Sequence, residues 1–146
     1  VSTRATSPDG PAEKTLTVLV YSDDRNTRAQ VLAALGRRPA ADLPLISYVE
    51  CATEPVVIAR MDAGGIDLAV LDGEAVPAGG MGIARQLKDE IFRCPPILVL
   101  VGRPDDSWLA TWSRADAVVA HPIDPLVLAA SAAGLLRGRL APTRTH

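Results

Sequence analysis

Residues Ile66 to Asp72 read Ile-Asp-Leu-Ala-Val-Leu-Asp, and a second apolar run, Ile97 to Val101, reads Ile-Leu-Val-Leu-Val. Short, near-continuous apolar runs rich in Val, Ile and Leu suit strands buried on both faces of a parallel sheet. Thr15 to Tyr21 (Thr-Leu-Thr-Val-Leu-Val-Tyr) is a third such run, and it ends in Ser22-Asp23-Asp24. Working outward, Leu45 to Glu50 and Ala117 to Ala120 complete five strands, the former expected at a sheet edge.

Between the strands the apolar period changes to that of a helix. Val31, Ala34 and Leu35 recur after Asp24 or Asn26 as N-cap, with Gly36 as the stop. Pro55 opens a segment that ends at Ala63-Gly64-Gly65 and turns Val57, Ile58 and Met61 to the core. A glycine-rich loop through Gly82 leads to a helix with Ile83, Leu87 and Ile91. Asp105 and Asp106 are caps for a short helix holding Trp108, Leu109 and Trp112, and Asp124-Pro125 opens a last helix to about Leu140. Strands that alternate with helices require helical crossovers and parallel pairing. The expected fold is α/β, a doubly wound, flavodoxin-like, five-stranded parallel sheet in the order 2-1-3-4-5.

The chain has 146 residues, room for one domain. The expected organisation is a disordered lead over 1–14, rich in Ser, Thr, Pro and Gly, a domain over 15–140 and a tail over 141–146. Apolar residues at 48% and charged residues at 22% are globular values. With 15 basic against 17 acidic residues, the net charge of −2 lacks the basic footprint of nucleic-acid binding. The longest apolar candidate, Leu126 to Leu136, is too short to span a bilayer, and Val1 to Lys14 has no signal-peptide core. Cys51 and Cys94 form no metal-binding pattern, which fits a reducing cytoplasm, and the topology sets them too far apart to bridge. Only Lys14 and Lys88 are lysines, a bias that hints at GC-rich bacterial coding.

Doubly wound sheets bind ligands at the carboxyl ends of their strands, where the strand order reverses. Ser22, Asp23, Asp24 and Asp72 gather there, with His121 at the end of the fifth strand. Carboxylates from neighbouring strands suit Mg²⁺, and a carboxylate beside such a cation can accept a phosphoryl group. On spacing alone, helix capping by Asp23 and Asp24 accounts for the same residues equally well.

From Leu16 to about Leu136 the chain resembles the receiver domain of bacterial two-component response regulators. Asp72 after Leu-Ala-Val-Leu matches the phospho-acceptor, and Asp23, followed by Arg28, matches the second member of the acidic pair. Pro77, Gly82 and His121-Pro122 match the proline and glycine after the acceptor and the Lys-Pro step. The resemblance implies Asp23, Asp72 and the backbone carbonyl of Glu74 as Mg²⁺ ligands. It also marks departures. Ser22 takes the first acidic position, Val101 the place of the hydroxyl residue, His121 that of the lysine and Val118 that of the aromatic switch. Either a weakly phosphorylatable receiver or a pseudo-receiver is implied, a stand-alone phosphorelay protein that is not an enzyme, with weak Mg²⁺ binding at most.

Trp108 and Trp112 are the candidate partner-binding residues, on a face made with the fifth strand and last helix. That face would meet a sensor kinase, a downstream protein or a second copy of the chain. Packing on the sheet is the competing expectation for at least one of the two rings. The alternative function is a small flavodoxin-like enzyme or a nucleotide- or flavin-binding protein, since the same topology hosts flavin.

Overall fold

The computed structural model describes residues 15–76, 78–103, 106, 108 and 112–141. Expectations for the lead, the tail, Pro77, Asp105 and Leu109 lie outside them. The elements are β1 (Leu16–Tyr21), α1 (Arg25–Leu35), β2 (Ile46–Cys51), α2 (Glu54–Ala63), β3 (Leu68–Asp72), α3 (Gly80–Glu90), β4 (Ile97–Val101), β5 (Ala117–Ala120) and α4 (Pro125–Leu140). The sheet order is β2-β1-β3-β4-β5, with every pairing parallel. The expected 2-1-3-4-5 topology is therefore the observed one.

Alternation along the strands builds two cores, one on each face of the sheet. Val18, Val20, Leu68, Val70, Leu98 and Leu100 point to one side, where Val31 and Leu35 of α1 and Leu128, Ala132 and Leu136 of α4 cover them. Leu19, Tyr21, Leu71, Val99 and Val101 point to the other, under Val57 and Met61 of α2 and Ile83 and Leu87 of α3. Burying each large aliphatic side chain contributes about 1.5–3 kcal/mol. The three inner strands are thus apolar on both sides, and this is why they read as unbroken runs rather than alternating ones.

The element ends follow local chemistry. Asp24 is the N-cap of α1, its carboxylate accepting from the Asn26 amide at 2.8 Å, and Asp124 caps α4 in the same way. Helix α2 begins at Glu54 with Thr53 as cap, one residue ahead of the proline. Helix α3 starts at Gly80, inside the stretch expected as loop, and Ile91 is its C-cap. Packing decides that start: a Cβ at Gly80 would lie 2.8 Å from the Asp72 carbonyl oxygen, so only glycine lets the helix begin against the end of β3. Cys51 and Cys94 are free thiols, as expected.

Candidate functional site

Because β1 and β3 are neighbours, with Tyr21 opposite Leu71, the residues that follow β1 meet the end of β3. Ser22 is fully buried and donates its hydroxyl to Asp72 Oδ2 at 2.8 Å. The Ser22 hydroxyl oxygen in turn accepts from the Asp24 amide at 3.0 Å, so one hydroxyl joins the end of β3 to the cap of α1. Arg28, one turn into α1, donates to the Ser22 carbonyl at 2.6 Å and to Glu50 Oε1 at 3.0 Å. It therefore holds the ends of β1 and β2 together behind the serine. Residue spacing marked Arg28 but gave it no such task, because the contact spans two strands.

Asp72 is 3% exposed, and its other oxygen, Oδ1, accepts from the Glu74 amide at 2.9 Å. His121 reaches the same carboxylate from the end of β5, with Nε2 at 3.5 Å from Oδ1. That nitrogen is buried and has no hydrogen-bond partner among the described residues. Asp23 is turned toward the loop after β3, accepting from the Val76 amide at 3.2 Å. Tyr21 fastens the same loop through its phenol, which donates to the Ala78 carbonyl. Burial first, and then the charges of Asp23, Glu54 and Asp72, raise that phenol's pKa above its ordinary value.

These groups border an open cleft of about 410 Å³ lined by Asp23, Asp24, Asp72 and Glu74 with Thr27, Gly102 and His121. Four carboxylates face one imidazole. The Glu74 carboxylate occupies the notch beside Gly102, where a Cβ would come within 2.7 Å of it. No spacing rule foretells this contact, because it depends on the absence of a side chain on a different strand end.

Mg²⁺ can be held by one or two carboxylates with water, but a built site needs their oxygens free and convergent. Both Asp72 oxygens are already engaged, and the buried neighbour is a hydroxyl rather than a second acid. Among the described residues no group of three or more His, Cys, Asp or Glu side chains is arranged to hold a metal ion. The donor set does not fit a built Mg²⁺ centre.

The other half of the edge is apolar. Val101 is fully buried at the end of β4, paired beside Ala120, and Val118 is half-buried on β5. Trp108 and Trp112 are 69% and 48% exposed, so neither ring is in the core. The guanidinium of Arg85 on α3 lies 5.1 Å from the Trp112 ring centroid and donates to the Trp112 carbonyl at 2.7 Å. No described helix is long and apolar enough to cross a membrane.

No protein-family model matches the chain. Response regulatory proteins from two strains of Mycobacterium tuberculosis are each 65% identical over 122 residues, covering 84% of this chain and 92% of theirs. Among solved structures, the BeF3-activated DrrB receiver domain superposes with a TM-score of 0.69 at 20% identity, covering 85% of this chain and 99% of that one. The chemotaxis response regulator CheY4 of Vibrio cholerae gives a TM-score of 0.70 at 17% identity, over 84% and 100% of the two chains. The structures establish the fold, and the sequence relatives establish the kinship: the chain belongs to the response regulators of two-component signalling, as a receiver domain.

Proposed function

We propose that this receiver is atypical, with weak or absent phosphorylation at Asp72, and that it acts by binding another protein. The observation that supports this most is the buried Ser22–Asp72 hydrogen bond, which occupies an acceptor oxygen with a neutral donor where the family has an acid. The Val101 side chain offers no hydrogen bond to a phosphoryl oxygen, and His121 is a shorter group than lysine. In this reading Asp72 is the acceptor position and His121 stands in the lysine's place. Asp23, Asp72 and the Glu74 carbonyl give Mg²⁺ weak affinity only. The family kinship leaves the flavodoxin-like enzyme or nucleotide-binder alternative without support.

The binding face is the exposed pair Trp108 and Trp112 with β5 and the start of α4, where Leu126 and Val127 are also exposed. Exposed tryptophan gives a preformed apolar anchor of large area. A sensor kinase, a downstream protein or a second copy of the chain fits such a face, in a non-enzymatic, cytoplasmic role. The experiment that tests the proposal is mass spectrometry after incubation with a small phosphodonor and Mg²⁺. Little or no gain of a phosphoryl mass is expected, and complete conversion would overturn it.

A further inference from the structure

We infer that Asp72-Gly73 is a latent isoaspartate site, kept closed by the pairing of β3 with β4. Among aspartates, one followed by glycine is the most open to cyclisation, because no side chain hinders the glycine nitrogen. Gly73 N attacks Cγ of the protonated Asp72 carboxyl, the N–C bond forms, and the carboxyl hydroxyl departs with the amide proton as water. Water then opens the imide at either carbonyl, returning aspartate or giving isoaspartate. Isoaspartate runs the backbone through the former side chain, so the acceptor carboxylate is lost and β3 is lengthened by one methylene at its end.

The fold itself imposes the dangerous residue. A Cβ at position 73 would stand 2.6 Å from the Leu100 carbonyl oxygen, so the close approach of β4 requires glycine after the acceptor. The same approach also disarms it. Gly73 N–H donates to Leu100 O at 2.7 Å, which commits the nitrogen to the neighbouring strand. Meanwhile Ser22 Oγ and the Glu74 amide hold the two Asp72 oxygens at 2.8 and 2.9 Å. Reaching Cγ requires the amide to leave β4, and Leu100 and Val99 are buried in the sheet's centre. Opening there approaches global unfolding, the least populated kind of fluctuation. The inference holds whether or not Asp72 is phosphorylated.

The test is peptide mapping of the intact chain aged at neutral pH, once folded and once in denaturant, with the isoaspartyl peptide of Asp72 quantified. Formation in the folded protein should be at least about tenfold slower than in denaturant, because only opened molecules react. Asp72→Asn, which places the faster-cyclising Asn-Gly pair in the same lock, should keep its amide when folded and lose it in denaturant. Ser22→Ala releases one acceptor oxygen but leaves the Gly73–Leu100 bond, and its folded rate should match the wild type. Equal rates in folded and unfolded wild type, no isoaspartate in either, or a Ser22→Ala rate that rises to the denatured one would each overturn the inference.

Discussion

The carboxyl edge of the sheet has two halves that are held in different ways. At the ends of β1 and β3 polar groups are cross-tied: Ser22 to Asp72, Asp72 to the Glu74 amide, Asp23 to the Val76 amide, and Arg28 to the Ser22 carbonyl. At the end of β4 stands Val101, buried in the core, with Val118 further back on β5 and His121 Nε2 facing Asp72 without a hydrogen bond. The half at β1 and β3 holds its buried carboxylate with a neutral hydroxyl. The half at β4 and β5 relies on packing. A serine is neutral and needs no counter-ion, so the buried carboxylate keeps one strong acceptor bond without a second negative charge beside it. Valines at the other end are held by packing, which favours one fixed arrangement over two alternating ones.

The sharpest way to break this comparison is Ser22→Asp. It sets a second buried carboxylate against Asp72 and should cost on the order of 3 kcal/mol of stability in metal-free buffer. Added Mg²⁺ should then raise the thermal midpoint of the variant while leaving the wild type nearly unmoved, since a second acid strengthens a hard-cation site. Identical Mg²⁺ responses would show that the serine is not what separates the two halves.

A smaller effect is expected at the exposed tryptophans. Trp112→Ala removes an exposed ring and its contact with Arg85, and an exposed cation–π pair contributes only about 0.5–1 kcal/mol. Thermal unfolding should therefore change little, while self-association or partner capture weakens. Measurement by sedimentation and by unfolding on the same sample separates the two readouts. A large loss of stability with unchanged association would remove Trp112 from the binding face.

A separate effect, confined to alkaline pH, belongs to β2, outside both halves, and serves as a control on the scaffold. Burial pushes the Tyr48 phenol up to about 12. In the unfolded chain it titrates near about 10. Its stabilising contribution is complete below the unfolded value and is lost as pH rises from there through the folded one. Alkaline titration followed by phenolate absorbance should show this late step, and Tyr48→Phe should delete it without altering the site. Loss of the step with no change in alkaline stability would mean the phenol contributes nothing to the scaffold.

Several elements were legible because one local signal decided each. Ile97–Val101 had to be an inner strand, and Asp124-Pro125 had to open a helix, for reasons contained in a few consecutive residues. The start of α3 was misplaced because Gly80 looks like loop until the end of β3 is set against it. The exposure of Trp108 and Trp112 was equally beyond reach, since helical spacing says which residues share a face but not whether that face is covered.

The sequence by itself determined the alternation of strands and helices, the parallel topology, the gathering of Asp23, Asp72 and His121 at one edge, and the receiver kinship. Each of these follows from periodicity, caps and residue identity along the chain. Only the tertiary structure decided that Ser22 bonds Asp72, that Arg28 holds Ser22 and Glu50, that Glu74 fills the notch at Gly102, and that Gly73 is locked to Leu100. Those contacts join residues on different strand ends over distances of a few ångströms. Their geometry is fixed by how the sheet packs and twists, to which no single segment of the chain has access.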